Sequence, residues 1–297
     1  MFEKRLNINK IKSLVGNTPL VKIGEKLYAK LEMYNPSGSV KDRMVTHIVR
    51  RDLIYGHIGK ETILCEATSG NTGISLSMMA ANIGNECVIF MPKNMSEERK
   101  QMMTIYGAKI IETPENDFQG AIAMRDAFLR ANANAWSPKQ FSNEMNVDCH
   151  ERHTAPEIHK QVIDLGKKWS AFIHGSGTGG TIEGMRRYLY KNNMQTKVCM
   201  VSPTEKDHGI QGIGDGRDFL TSRENMDRII QISTSEAIQR AKEFTSNTGL
   251  LTGISSGANI LAAERWIADT RPSGIVVTML CDRGERYLSV YKNKSDL

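Results

Sequence analysis

The stretch Thr62-Ile-Leu-Cys-Glu-Ala-Thr-Ser-Gly-Asn-Thr-Gly73 passes from a β-rich run into a glycine-containing turn, and it decides the fold of the chain around it. An apolar helical pattern follows the turn. The runs Cys87-Val-Ile-Phe-Met-Pro92 and Ala108-Lys-Ile-Ile-Glu-Thr-Pro114 repeat the strand pattern, and a helical pattern follows each of them. A βαβαβ series of this kind predicts a parallel sheet with right-handed crossovers.

A second alternating series lies further along the chain. Its strands are predicted, with helical patterns between them, at Ser170–His174, Lys197–Pro203 and Gly274–Cys281. The fold class is therefore α/β, and two such series predict two lobes with a cleft between them. We assign residues 36–145 to a smaller lobe and residues 1–35 with 146–297 to a larger one.

Composition argues against several classes of protein. Apolar residues make up 40% and charged residues 24% of the chain, which is ordinary for a soluble globular protein. The formal charge of +6 is spread without a long basic run, so the sequence does not favour a nucleic-acid partner. No apolar run approaches the roughly 18–20 residues that span a bilayer, and the segment Met1–Leu6 lacks the apolar core of a secretory signal. We expect a cytoplasmic protein.

Cysteine and histidine spacing predicts no metal site. The five cysteines are scattered and mostly lie inside apolar runs, which is typical of reduced, buried residues. His150 and His153 form an i, i+3 pair, which we expect to face solvent rather than to bind a metal ion.

Lys41 lies in Asn35-Pro-Ser-Gly-Ser-Val-Lys-Asp-Arg43, where a loop of small residues delivers a lysine to a helix start. A lysine that forms an imine needs its amine close to a fixed carbonyl and away from bulk water, and such a loop provides both. The alternative is a solvated surface charge beside Asp42 and Arg43, which is the usual state of a lysine.

The run His174-Gly-Ser-Gly-Thr-Gly-Gly-Thr181 lies between a predicted strand and a predicted helix. Glycines let the backbone approach a ligand, and a helix start presents N–H groups to an anion. The turn therefore fits a phosphate monoester, with help from the hydroxyls of Thr178 and Thr181. A Walker loop needs a Gly-Lys-Ser/Thr ending, which is absent, and the dinucleotide fingerprint fails at its last glycine. A tight turn without a ligand is the remaining alternative.

Two further turns have a similar character. The turn Thr68-Ser-Gly-Asn-Thr-Gly73 is predicted to hold a carboxylate through backbone N–H groups and the hydroxyls of Ser69 and Thr72, or else to be a capped turn without a ligand. In Thr252-Gly-Ile-Ser-Ser-Gly-Ala258, Ser255 or Ser256 either contacts a ligand or caps the predicted helix.

In this order, the motifs resemble the cysteine synthase family, within the β-family of pyridoxal-phosphate enzymes that includes cystathionine β-synthase. The matching segments are Val15-Gly-Asn-Thr-Pro-Leu20, Ala29-Lys-Leu-Glu32, Asn35-Pro-Ser-Gly-Ser-Val-Lys-Asp-Arg43, Thr68-Ser-Gly-Asn-Thr-Gly73, Gly177-Thr-Gly-Gly-Thr181, Ile210-Gln-Gly-Ile-Gly214, Gly253-Ile-Ser-Ser-Gly257 and Gly284-Glu-Arg-Tyr-Leu288. The resemblance implies the tryptophan-synthase-β-like fold of type II enzymes, with pyridoxal 5′-phosphate in the cleft between two lobes.

The resemblance also implies a role for each matching residue. Lys41 looks like the Schiff-base lysine and proton-transfer base, and Asn71 looks like the contact to the cofactor 3′-oxygen. Ser255 would face the pyridine nitrogen, where a neutral hydroxyl suits β-elimination. The cofactor phosphate would be held by Gly177, Thr178, Gly179, Gly180 and Thr181. The substrate carboxylate would be held by Thr68, Ser69, Gly70 and Thr72, with Gln140 as a helper.

Asp215 departs from the family pattern, which usually has a small apolar residue at this position of Gly212-Ile-Gly-Asp-Gly216. A partly desolvated carboxylate near the cofactor would activate water or a thiol, which makes Asp215 a catalytic candidate. The alternative is an aspartate that caps its own turn between Gly214 and Gly216.

The implied reaction is a β-replacement. An activated serine such as O-acetylserine loses its β-substituent to give an aminoacrylate, and sulfide adds to give L-cysteine. The alternative is an L-cysteine β-elimination or β-replacement that releases hydrogen sulfide, as in a cysteine desulfhydrase or a lanthionine- or cystathionine-forming enzyme, with Asp215 activating the incoming water or thiol. The rivals from other classes are a catalytically silent relative, which would have lost Lys41 or the phosphate turn, and a dinucleotide-dependent oxidoreductase.

Partners follow from the same resemblance. We expect a homodimer that acts on a small amino-acid substrate and on sulfide or a thiol, with no metal ion, nucleic acid or membrane. Some cysteine synthases also bind the C-terminal tail of serine acetyltransferase, and the sequence leaves that partner open.

Overall fold

The computed structural model describes Ile11, residues 13–214 and residues 219–292. The strands of this part are β1 (Leu20–Lys22), β2 (Leu27–Leu31), β3 (Ile63–Ala67), β4 (Cys87–Pro92), β5 (Lys109–Thr113), β6 (Ala135–Trp136), β7 (Trp169–Gly175), β8 (Lys197–Pro203), β9 (Arg228–Ile232) and β10 (Ile275–Leu280). The helices are α1 (Lys41–Ile54), α2 (Asn71–Ile83), α3 (Glu97–Ile105), α4 (Phe118–Ala131), α5 (Met145–Cys149), α6 (Ala155–Asp164), α7 (Gly180–Lys191), α8 (Thr234–Thr248), α9 (Ile254–Thr270) and α10 (Leu288–Tyr291). Within these residues, no helix has the length and apolar character needed to cross a membrane.

The chain divides into two compact units. Unit 1 contains the described residues up to Gly16 together with Asn35–Lys139, and unit 2 contains Asn17–Tyr34 together with the described residues from Gln140 onward. The sequence-based boundaries differ from this division at Asn35 and at two segments, since they placed the residues up to Gly16 in the larger lobe and residues 140–145 in the smaller one. Gly16 N–H donates to Asn35 Oδ1 at 2.9 Å, which holds the first segment to unit 1. Asn146 Nδ2 donates to the Gln140 carbonyl at 3.1 Å, which holds the second to unit 2.

Unit 1 is built on a parallel sheet in the order β5-β4-β3-β6. β3, β4 and β5 are the three strands that the sequence predicted, and α2 and α3 connect them, so the βαβαβ prediction is confirmed. The apolar residues of β3 and β4 are buried almost completely, because helices cover a parallel sheet on both faces.

Unit 2 is built on a second sheet, in the order β1-β2-β10-β7-β8-β9. β1 pairs with β2 in the antiparallel sense, and the other neighbours pair in parallel. The predicted strands are present as β7, β8 and β10. The sequence patterns did not reveal β1, β2 or β9, nor that β10 lies between β2 and β7. The fold class is α/β with mostly parallel sheets flanked by helices, as predicted.

The central strands of unit 2 are its most buried part. Every residue of β2 and β10 is buried, and their apolar side chains join those of β7, β8 and α9 in one core. Burying a valine or isoleucine side chain contributes roughly 1.5–3 kcal/mol relative to exposure, so this core fixes the ends of β7 and β10. The turn that follows β7 lies at one of those ends. The hydrogen bond between Cys281 and Ser256 lies at the other.

The cysteines match the expectation of reduced, buried residues. All five are free and buried. Burial raises the pKa of Cys65, Cys87 and Cys199 to about 12. These three thiols therefore stay protonated at neutral pH and do not act as nucleophiles.

Candidate active site

Lys41 is the first residue of α1 in unit 1 and is half-buried. Its neighbours Asp42 and Arg43 are 0% and 4% exposed, so the alternative of a lysine in a solvated charge cluster does not hold. The loop before it places Lys41 at a fixed point, because its backbone N–H donates to Ser39 Oγ at 3.3 Å.

Asp42 anchors the lysine loop. Its carboxylate accepts hydrogen bonds from the Ser37 backbone N–H at 2.6 Å, from the Ser37 hydroxyl and from the Ser75 hydroxyl. Ser75 lies on α2, the helix that begins with Asn71. The carboxylate next to Lys41 therefore ties the lysine loop to the helix that carries Asn71 and Thr72.

The turn between β3 and α2 contains the predicted carboxylate-binding residues. Thr68 is 2% exposed, Thr72 is also buried, Asn71 is half-buried and Ser69 is exposed. Thr68 Oγ1 accepts from the Gly70 N–H at 3.1 Å, so this hydroxyl braces the turn. A helix start leaves the N–H groups of its first turn without intrahelical partners, and these face an anion. The turn brings the predicted group together within unit 1.

Gly70 permits a close approach from α3. A Cβ atom at this position would come within 2.4 Å of Arg99 Cδ and Nε, and Arg99 is only 2% exposed. A buried guanidinium thus packs against the backbone of the turn. Sequence patterns did not single out Arg99, since its motif reads as an ordinary charged helix.

The turn between β7 and α7 contains the predicted phosphate-binding residues, all in unit 2. α7 begins at Gly180, and its N-cap residue Gly179 has φ 88°, a left-handed conformation that favours glycine. Thr178 and Thr181 are each 8% exposed. The first-turn N–H groups of this twelve-residue helix lie at its positive dipole end, an arrangement suited to an anion.

The hydrogen bonds of Thr178 test whether a phosphate fits. Its Oγ1 accepts from Asn146 Nδ2 at 2.9 Å and from the Gly180 N–H at 3.3 Å. A hydroxyl has two acceptor lone pairs and one proton, so both lone pairs are used and the proton remains to be donated. Phosphate oxygens accept hydrogen bonds, and the residues present therefore fit the phosphate of the predicted cofactor.

His150 was predicted to face solvent, and this was wrong. It is 2% exposed, its Nε2 lies 3.2 Å from Thr181 Oγ1 and its Nδ1 lies 3.0 Å from Thr154 Oγ1. One turn of π-helix, His150–Thr154, turns the ring inward, which an i, i+3 count cannot reveal. His153 is exposed, as expected.

A buried carboxylate braces the phosphate turn. Glu183 accepts from Arg187 Nε at 2.8 Å and from Thr221 Oγ1 at 3.0 Å, and Thr221 packs against Gly179. Burial by itself raises the pKa of the Glu183 carboxyl. Hydrogen bonds from Arg186 and Arg187, helped by Thr221, outweigh burial, so the net pKa is lowered and the group stays charged.

Ser255 is the second residue of α9 and is 4% exposed. The helix has no side-chain cap, so the capping alternative for Ser255 and Ser256 is wrong. Ser256 Oγ instead accepts from the Cys281 N–H at 2.9 Å, at the end of β10. Gly212 packs close to Ser255, since a Cβ on Gly212 would lie 3.6 Å from Ser255 Oγ.

Two predicted residues remain. Gln140 is 3% exposed, and Asn146 holds its carbonyl as described above. Asp215 lies outside the described residues. In the described part of the chain, no three histidine, cysteine or acidic side chains form a group that could hold a metal ion.

An α/β fold with a glycine-rich turn fitted to phosphate defines a class of proteins that bind phosphorylated small molecules. The chain belongs to the pyridoxal-phosphate dependent enzyme family, whose model matches residues 11–282. It is therefore a pyridoxal-phosphate dependent enzyme, and the predicted family and cofactor are confirmed.

One relative by sequence and two by structure are similar to this chain along nearly its whole length. The chain is 38% identical over 294 residues to cysteine synthase B of Campylobacter jejuni, covering 94% of this chain and 97% of the relative. It is similar in structure to a hydrogen sulfide-producing enzyme of Fusobacterium nucleatum, with a TM-score of 0.88, 32% identity and coverage of 97% and 94%. It is also similar to the O-acetylserine dependent cystathionine β-synthase of Helicobacter pylori, with a TM-score of 0.86, 32% identity and coverage of 94% and 96%.

Proposed function

We propose that the enzyme makes L-cysteine from sulfide and an activated serine, such as O-acetylserine, by β-replacement. The observation that carries this proposal is the 38% identity to a cysteine synthase along nearly the whole of both chains. The phosphate turn and the lysine loop supply independent support, since both are intact and built from buried, hydrogen-bonded residues.

Bound pyridoxal phosphate supplies the electron sink that lets an amino acid lose its α-proton and its β-substituent. Lys41 would hold the cofactor through its Nζ, and its free amine would take up the α-proton of the substrate. Gly177, Thr178, Gly179, Gly180 and Thr181 hold the phosphate through N–H groups and hydroxyls. Asn71 would contact the cofactor 3′-oxygen, and the Ser255 hydroxyl would face the ring nitrogen.

The substrate carboxylate is held at the start of α2. Thr68, Ser69, Gly70 and Thr72 provide the N–H groups and hydroxyls, and Gln140 assists. A carboxylate fixed by several donors orients the Cα–H bond for removal by Lys41, which is the usual contribution of positioning to such a step.

The second candidate function is release of hydrogen sulfide from L-cysteine, in the manner of a cysteine desulfhydrase or a lanthionine- or cystathionine-forming enzyme. The likeness to the Fusobacterium nucleatum enzyme favours it. In this version Asp215 activates the incoming water or thiol, since a carboxylate can act as a general base.

One pair of assays separates the two functions. The purified enzyme is supplied with O-acetylserine and sulfide, and cysteine is measured. It is then supplied with cysteine alone, and sulfide is measured, in wild type and in Asp215→Ala. We expect fast cysteine synthesis and little sulfide. Rapid sulfide release that Asp215→Ala abolishes would instead establish the second function.

The location, oligomeric state and protein partner of the enzyme are proposed from the resemblance to the cysteine synthase family. We propose a cytoplasmic homodimer, with the substrate-carboxylate turn on the smaller lobe and the phosphate turn on the larger one. The C-terminal tail of a serine acetyltransferase is proposed as a regulatory partner. Sedimentation of the purified protein, alone and with such a peptide, tests the dimer and the partner together.

A further inference from the structure

Asn146 is a buried amide that the proposed chemistry does not use. It lies on α5 in unit 2 and is 2% exposed. Burying an amide costs free energy unless its donors and acceptors are satisfied, so the contacts of such a residue show what it is for.

Both hydrogens of the Asn146 amide are committed. Nδ2 donates to the Gln140 carbonyl at 3.1 Å and to Thr178 Oγ1 at 2.9 Å. Oδ1 faces the start of α7, where a Cβ on Gly180 would lie 2.1 Å from it. The contact with the Gln140 carbonyl fixes the orientation of this amide, because rotation by 180° would set Oδ1 against a carbonyl oxygen, which can only accept.

The donor from Asn146 decides what Thr178 does. The Gly180 N–H fills one lone pair of Thr178 Oγ1 at 3.3 Å, and Asn146 fills the other. Without Asn146 the hydroxyl would be free to accept from another donor or to rotate. With it, the only hydrogen bond left to Thr178 Oγ1 is one that it donates.

We propose that Asn146 is a positioning residue for the cofactor phosphate: it fixes the Thr178 hydroxyl as a donor and so matches the turn to a ligand that only accepts. The proposal rests on the assignment of the phosphate to Gly177–Thr181 in the proposed function. The anchored Gln140 carbonyl makes the arrangement rigid, since one amide holds the segment before α5 and the turn before α7 at once.

The test compares pyridoxal phosphate with pyridoxal, which lacks the phosphate but can still attach to a lysine. Full-length protein is freed of cofactor and titrated with each compound, and the visible absorbance of the attached cofactor reports binding. In Asn146→Ala, we expect the affinity for pyridoxal phosphate to fall about tenfold or more, as for loss of a hydrogen bond to a charged group. We expect the affinity for pyridoxal to change less than about twofold, as it lacks the group concerned.

Asn146→Asp should have a larger effect than Asn146→Ala. A carboxylate accepts where the amide donates, so the Thr178 proton would turn toward the new carboxylate instead of the phosphate, and a negative charge would lie near the phosphate. Thr178→Val should reproduce the selective loss, and Thr178→Ser should keep most of the affinity. Combining Asn146→Ala with Thr178→Val should be no worse than Thr178→Val alone.

Asn259→Ala is the matched control. Asn259 is another buried amide of unit 2, and it bridges the Gly175 N–H at 2.8 Å and the Met279 carbonyl at 3.0 Å without contacting Thr178. It should lower thermal stability without changing the ratio of the two affinities. Equal losses for both compounds in Asn146→Ala would overturn the inference, as would additive losses in the double variant. If the Asn146 variants do not fold, Thr178→Val provides the test. An unchanged ratio of its affinities for pyridoxal phosphate and pyridoxal overturns the inference. Wild type that binds neither compound contradicts the proposed function itself.

Discussion

The two turns proposed to bind anions have the same position in the fold and are braced by different residues. Each follows a buried parallel strand and opens a helix, at β3–α2 in unit 1 and at β7–α7 in unit 2. The first turn is braced by its own Thr68 hydroxyl and by the packing of Arg99 against Gly70. The second is braced by polar side chains from other segments, namely Asn146, His150 and Thr221.

This difference matches the two proposed ligands. A substrate must enter and leave at every turnover, and the first turn keeps an exposed serine, Ser69. A cofactor phosphate stays bound, and a buried polar network that is fully satisfied holds its donors in one arrangement. Substitutions in each turn test whether the first turn serves the substrate and the second the cofactor.

Lys41→Ala should have the largest effect. Loss of the amine removes both the covalent attachment and the proton carrier, so cysteine formation should fall by at least the roughly 10²–10⁴-fold that acid–base catalysis supplies. The visible absorbance band of the attached cofactor should disappear, as recorded in the purified variant. Lys60→Ala, at an exposed lysine of the same unit, should retain both cysteine formation and the absorbance band. A visible absorbance band that persists in Lys41→Ala would show that Lys41 is not the lysine that attaches to the cofactor.

Gly177→Ala should damage the enzyme more than Gly70→Ala. A Cβ on Gly177 would lie 2.6 Å from the Gly212 carbonyl oxygen, which is backbone and cannot move aside easily. Overpacking of this kind costs about 1–3 kcal/mol, so cofactor affinity should fall. At Gly70 the clash is with the Arg99 side chain, which is more adjustable, and the expected effect is a higher KM for the amino-acid substrate.

The control for both glycine variants is Gly59→Ala, where a Cβ would lie 3.8 Å from Thr62 Oγ1 and should be tolerated. Cofactor titration and steady-state kinetics report the two effects separately. A Gly70→Ala enzyme that loses cofactor as readily as Gly177→Ala would contradict the assignment of the first turn to the substrate and of the second to the cofactor.

Acid should weaken the carboxylate brace of the phosphate turn. The pKa of Glu183 is lowered in the folded state, so its contribution to stability is present above the unfolded pKa and is lost as pH falls through the folded pKa. The free energy of unfolding should therefore decline below about pH 4.3, the usual glutamate value. Glu183→Gln should show a shallower decline in denaturant titrations at several pH values. An equally steep decline in that variant would show that other carboxylates account for the loss.

Ser69→Ala should have the smallest effect. The hydroxyl is exposed and supplies at most one hydrogen bond to the substrate, worth about 0.5–1.5 kcal/mol, so KM for the amino-acid substrate should rise about 2- to 12-fold. The cofactor band should be unchanged, because unit 2 holds the phosphate turn. A changed band would mean that Ser69 supports the cofactor rather than the substrate.

The two turns of the candidate site could be predicted from the sequence because glycine, hydroxyl and helix-start signals are local. The strand-to-helix turns at 68–73 and 174–181 were predicted from such signals, and both occur where expected. The residues that brace them were missed. Asn146, Arg99 and Glu183 come from segments whose spacing carries no signal, and in isolation each reads as an ordinary polar residue of a helix.

The sequence alone determined the alternation of strands and helices, and with it the α/β class, because hydrophobic periodicity and glycine turns act over a few residues. It also determined the cofactor family, through motifs in a fixed order. Only the tertiary structure decided that β10 lies between β2 and β7, that His150 points inward, and that Asn146 donates a hydrogen bond to Thr178. Those features depend on pairing and burial between segments far apart in the chain, which no local pattern encodes.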